Sequence, residues 1–170
     1  MFPLALSLGI CSRCEVMDID ITEDMAPEEI VARMNRVLPE GMKILHAAEP
    51  ALKHTEIAFA QYNLRLAASC PPGELLECFR RFIERETIEI EKVSKKKIPI
   101  RMDIKPQIDV LDMQTEPDAL QITVRLPAGT QENLNVNLVC DAFEKDLQME
   151  LENIWIERTK ILTQDGKDFL

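Results

Sequence analysis

Glycine is scarce in this chain, with five in 170 residues, and aromatic residues make up only 5%, including one Trp and one Tyr. No Gly-rich phosphate loop, dinucleotide fingerprint or Gly-x-Ser-x-Gly nucleophile elbow occurs among them. The longest stretch without charge, residues 1–12, is far too short to cross a bilayer. It has no basic flank of the kind that opens a secretory signal, so the expectation is a cytoplasmic protein with no membrane contact. Cysteine is few and odd in number: Cys11, Cys14, Cys70, Cys78 and Cys140 fall at irregular spacings. That is a poor disulfide framework and suits a reducing compartment. Positive charge is also short. The formal net charge of −10 argues against general nucleic-acid binding, because Lys and Arg supply most phosphate affinity.

What is present is an ordinary globular composition, 46% hydrophobic and 29% charged. The opening run Phe2–Gly9 reads as a strand closed by a glycine turn. From Val16 to Ile21 the pattern alternates, with Met17, Ile19 and Ile21 on one face and Asp18 and Asp20 on the other. This predicts a half-buried strand, paired with the first as a hairpin across residues 9–14. A helix is expected over 27–38: Pro27 suits its first position, Glu28 and Glu29 its positive end, and Ile30, Met34, Val37 and Leu38 recur at helical spacing. Strands follow at 42–47 and 57–67. A second helix is expected over 72–85, opened by Pro71-Pro72-Gly73. Further strands are expected at 87–93, 98–111 and 119–126, then a helix over 131–146 with Thr130 as N-cap, and a closing strand at 154–162.

Helices returning between antiparallel strands predict an α+β fold, with helices packed on one face of the sheets. Residues 57–170 hold the elements of a complete ferredoxin-like unit. Residues 1–56 are short of an opening strand and helix, so the expectation is tandem ferredoxin-like units, the first incomplete, packed as one compact body. An incomplete sheet exposes an edge near Phe2–Leu8, a place for a partner or for a second copy of the chain.

Three groups of residues invite a chemical reading. Cys11-Ser12-Arg13-Cys14 has the spacing of half a tetrahedral zinc site, yet no second half lies nearby; two ordinary cysteines is the plainer account. Asp18 and Asp20 resemble a carboxylate pair, but alternation on a solvated strand face is the better account of them. The third is a basic stretch. Residues 80–105 carry nine Lys or Arg against five acids, a local +4 that leaves −14 elsewhere. Lys95, Lys97, Arg101 and Lys105 follow one another along it, and Arg158 and Lys160 would join if their strand lay alongside. Lysines and a proline also guard sheet edges against pairing, so a solvated edge competes with a contact for RNA or an acidic protein. Tyr62 and Trp155 are the only aromatics offered for base stacking, which weighs against sequence-specific RNA reading.

Several stretches taken in order resemble the radical SAM-linked protein family, a bacterial domain of unknown function encoded beside or fused to radical SAM proteins. They are Leu4-Ala5-Leu6-Ser7-Leu8-Gly9, Glu15-Val16-Met17-Asp18-Ile19, Leu38-Pro39-Glu40-Gly41, Ala47-Ala48-Glu49, Tyr62, Asp103-Ile104-Lys105-Pro106 with Ile108, and Arg158-Thr159. Lys105 stands where the family carries arginine. The family's opening strand and helix, rich in His, Asp and Arg, have no counterpart here, which agrees with an N-terminally truncated first unit. The Cys-x3-Cys-x2-Cys pattern of the radical SAM cluster is also absent, and no motif calls for a cofactor. The resemblance implies a non-catalytic accessory that docks to a radical SAM partner or presents its substrate. The competing readings are an RNA-binding or RNA-modification module and, more weakly, a small zinc-binding protein.

Overall fold

Four strands of the sheet follow the order expected of a ferredoxin-like unit. The computed structural model describes residues 2–93 and 99–169. Its strands are β1 (Ile10–Ser12), β2 (Ile57–Ala68), β3 (Glu89–Val93), β4 (Pro99–Asp103), β5 (Asp109–Thr115), β6 (Leu120–Pro127) and β7 (Leu151–Thr163). The helices are α1 (Pro27–Asn35), α2 (Pro72–Ile83) and α3 (Val136–Leu147). The main sheet runs β1-β7-β2-β6-β5, antiparallel except for β1, which pairs parallel with β7. Its last four members are the fourth, first, third and second strands of a β-α-β-β-α-β unit spanning β2 to β7. A separate two-stranded ribbon, β3–β4, is inserted between α2 and β5. The α+β class is therefore as expected.

The core follows from strand alternation. Tyr62, Leu64 and Leu66 of β2 stand opposite Val124, Ile122 and Leu120 of β6, and all six are buried. Helix α2 contributes Leu75, Phe79 and Phe82, and α3 contributes Val136, Val139, Cys140 and Phe143. The three phenylalanines join the two helices, with the Phe79 and Phe143 rings edge to face at 5.0 Å. Each phenylalanine withdrawn from water contributes roughly 1.5–3 kcal/mol.

The boundaries differ from expectation where local chemistry outweighs hydrophobic spacing. Helix α3 starts after Asn135, whose side-chain oxygen accepts a hydrogen bond from the Asn137 amide at 3.0 Å. Thr130 is not its cap, because residues 128–133 close a turn through a bridge between Ala128 and Asn133. The single strand expected over 98–111 is two strands, β4 and β5, separated by a 3-10 turn at Lys105–Gln107. Proline at 106 has no amide hydrogen for a ladder, and the Asp103 carboxylate accepts from the amides of Ile88 and Lys105.

The first 56 residues depart furthest. Strands expected over 2–8, 16–21 and 42–47 are not formed, and the hairpin across 9–14 is replaced by the parallel pairing of β1 with β7. Helix α1 forms as expected from Pro27 and its acidic first turn, with Arg33 bonded to Glu29 at 2.6 Å, but none of its residues is buried. Asn35 ends it by clamping the loop beyond: its side chain accepts from the Ile44 amide and donates to the Ile44 carbonyl. Alternation alone did not make 16–21 a strand, because a strand also needs a neighbour to bond.

The aromatic contact between helices yields a direct test. Phe143→Ala should lower unfolding free energy by about 3–5 kcal/mol, measured by urea denaturation, since it opens a cavity between α2, α3 and the sheet.

Candidate functional site: a buried arginine and the arm that covers it

Arg158 is the focal residue, and it is turned inward. It lies in β7 opposite Tyr62 of β2, so the two side chains share the face that carries the core. Its side chain is 3% exposed. The guanidinium donates to both carboxylate oxygens of Glu15, at 2.7 and 2.9 Å, to the Ala5 carbonyl at 3.0 Å and to the Tyr62 hydroxyl at 3.3 Å. It also lies 5.6 Å from the centre of the Tyr62 ring, within cation–π range. Burial pushes the Tyr62 phenol above its ordinary 10.0, an effect the nearby arginine partly offsets. Tyr62 is therefore core and not a stacking surface, which corrects the sequence expectation.

The same N-terminal segment holds β7 from its other face. Successive residues in a strand point opposite ways, so Glu157 faces away from Arg158. There it meets Arg13, whose Nε donates to the Glu157 carboxylate at 2.5 Å. The Arg13 amide and the Cys14 thiol both donate to the Arg158 carbonyl. Residues 4–15 thus form an arm that clasps β7 through both faces and its edge, with Leu4, Ile10 and Cys14 buried beneath it.

The other sequence candidates lie apart from this cluster. Lys95 and Lys97 fall outside the described residues. Arg101 sits on β4 opposite Glu91, which accepts from its Nε at 3.1 Å, and Asp103 stands opposite Glu89. That face of the ribbon therefore mixes charges among the described residues. Lys105 is half-buried in the 3-10 turn. Lys160 points to Asp168 on the other side of the sheet's last strand and does not extend a line of cations. Arg158 is withheld from any such line by burial.

Cys11 is exposed while Cys14 is buried. Burial raises the Cys14 thiol above its ordinary 9.0, which disfavours the thiolate that zinc requires. Among the described residues, no three His, Cys, Asp or Glu side chains converge as a metal site would need. An open hollow of about 490 Å³ lies at one end of the main sheet, lined in part by Glu56, Phe59, Gly129, Glu132 and Asp165. A Cβ at Gly129 would sit 2.9 Å from the Ile57 carbonyl oxygen, so the turn bordering the hollow packs directly against the β2 backbone. Hydrogen bonds from Lys167 and Thr163 hold the Asp165 carboxyl down to about 2, so it is ionised near neutrality and cannot serve there as an acid.

Sequence reasoning did not find the Glu15–Arg158 pair. The two residues are 143 positions apart, and Glu15 lies in an acid-rich stretch where nothing marks one carboxylate as different.

Residues 1–136 match the model of a family described as "Uncharacterized protein conserved in bacteria" (DUF2344). The chain belongs to this family. The DUF2344 match includes the arm and Tyr62 and ends at the first residue of α3, so Arg158 lies beyond the matched span. No curated protein and no solved structure matches this DUF2344 member.

Two outcomes check this description. Arg158→Ala should cost about 3 kcal/mol, because it strands Glu15 in a partly covered site, and the double change Arg158→Met with Glu15→Leu should recover part of that loss. Limited trypsin digestion should cut at Arg13 faster in Arg158→Ala than in the parent, since the clasp is gone. The second concerns the thiols: Cys11 should react with a thiol reagent in the folded protein, and Cys14 and Cys140 only on unfolding. Burial pushes Cys140 from 9.0 up to about 12, so its neutral form belongs to the fold. Its influence on stability should be flat below about pH 8 and turn unfavourable as the unfolded thiol ionises above about pH 9.

Proposed function

We propose that this DUF2344 chain is a non-catalytic accessory domain that docks to a radical SAM protein or holds that protein's substrate. The observation that carries the docking half of this reading is the placement of exposed apolar side chains. Of the thirteen large hydrophobic residues that stand exposed among the described residues, nine lie between positions 2 and 52. Leu8 is 98% exposed and Val37 81%, so this part of the chain offers apolar surface that a partner would bury. In this reading residues 1–56 are the docking part and 57–170 the ferredoxin-like body that carries it, joined through the clasp on β7.

The radical SAM identity of the partner rests on the ordered residues quoted above, from Leu4 through Asp103-Ile104-Lys105-Pro106 to Arg158-Thr159. A basic RNA-binding stripe gains no support from the geometry, since Arg101 is answered by Glu91 and Arg158 is internal.

The test is co-purification of the full chain with a radical SAM protein from the same bacterium, under anaerobic conditions. A stable complex is the expected outcome. Separate elution at micromolar concentrations, with the partner's cluster intact, overturns the reading.

A further inference from the structure

We propose that residues 16–25 add as an acidic strand to a cationic sheet edge on the partner protein, an inference that rests on the accessory-domain reading above. Two independent features point to it. The first is an unused strand pattern. Met17, Ile19 and Ile21 alternate with Asp18 and Asp20, yet residues 16–21 belong to no strand and make no sheet ladder among the described residues. Ile19 and Ile21 are each 45% exposed. Docking as an added strand uses both halves of such a pattern: the backbone supplies the ladder and alternate side chains fill apolar pockets.

The second feature is charge. Seven carboxylates lie between positions 15 and 29, and no Lys or Arg occurs from 14 to 32. Within the chain, Arg158 takes Glu15, and Arg33 meets Glu23 and Glu29. Among the described residues Asp20, Asp24 and Glu28 have no ion-pair partner. Among the described residues, the Arg101 face of the chain's own β3–β4 ribbon does not complement this segment, because Glu89, Glu91 and Asp103 share it. A second copy is thereby disfavoured as the occupant. The surface that fits is a sheet edge on another protein, with apolar pockets for Met17, Ile19 and Ile21 and Lys or Arg beside them. Such an edge is also one that lysines normally guard against pairing, and acidic side chains lift that guard selectively.

The experiment is calorimetric titration of the full chain into the radical SAM protein, at salt from roughly 50 to 300 mM, where screening of surface charge changes most. Three variants are compared: Ile19→Ser with Ile21→Ser, Asp20→Asn with Asp24→Asn, and Arg101→Ala with Lys105→Ala as the control. The apolar pair should abolish measurable binding. The acidic pair should weaken it about tenfold at low salt and flatten the salt dependence, as rim charges do. The control should bind like the parent, and amides of 16–21 should gain exchange protection on binding. Thermal melts of the first two variants should match the parent, since Ile19, Ile21, Asp20 and Asp24 are exposed, and the control is compared at a temperature well below its own melt because Lys105 is half-buried. Parent-like binding by the first two variants overturns this inference and leaves the accessory role standing. Binding without amide protection overturns the strand mode, and binding indifferent to salt overturns the cationic edge. Self-association of the chain lost in the same variants, without partner binding, assigns the segment to a second copy and overturns the proposal. No binding by the parent overturns the accessory reading together with this one.

Discussion

A guanidinium removed from water has to find acceptors for its hydrogens inside the protein, and the arm of residues 4–15 exists in its observed place because Arg158 imposes that demand. The sheet supplies only the Tyr62 hydroxyl. The remaining acceptors, the Glu15 carboxylate and the Ala5 carbonyl, come from chain that has almost no regular structure of its own. Three residues of β1 would hold poorly as an edge strand by themselves. They are held because polar bonds on both faces of β7 and three buried apolar side chains act at the same place. Specific placement of an irregular segment is what a buried ion pair does well, even where its net contribution to stability is modest.

The elements from 57 onward that were legible, β2 and α2 above all, were specified twice. In β2 the alternation Ala60, Tyr62, Leu64, Leu66 agrees with the buried face, and in α2 the spacing of Leu75, Phe79 and Phe82 agrees with Pro72 at the start. The four-strand order then follows from one antiparallel hairpin, β5–β6, and two helical crossovers through α2 and α3. The first 56 residues were specified only once. Residues 16–21 have strand alternation without a partner strand, and α1 has helix-start chemistry without an apolar neighbour to bury it. For the site, Arg158 was picked out for its charge, and its burial was not legible: sequence shows that a residue is cationic and not which way its strand turns it. Its partner Glu15 is fixed only by tertiary structure.

Electrostatics divides the molecule in a way that the net charge of −10 conceals. Three of the nine cations that look like a stripe in sequence are engaged among the described residues: Arg85 with Asp146, Arg80 with Glu77, Arg101 with Glu91. Exposed pairs of this kind contribute little to stability, about 0–1 kcal/mol each. Their effect is to cancel local field, so that the ribbon and α2 present a mixed surface. The acids between 15 and 29 have fewer opposite charges to cancel them, and they surround apolar side chains that the body of the protein does not cover.

The pairing of β1 with β7 also orders events in time. Residues 10–12 leave the ribosome well before the strand they bond, at 156–158. During synthesis the arm therefore has neither ladder nor arginine to receive it, while β2, α2, β5 and β6 can already be assembling. For that interval Leu4, Ile10 and Cys14, later buried, are exposed beside an acidic stretch that keeps the nascent chain in solution. Closure of the clasp is the event that reports synthesis through β7: a product stopped short of Arg158 keeps a loose arm, and cellular proteases recognise loose segments of that kind.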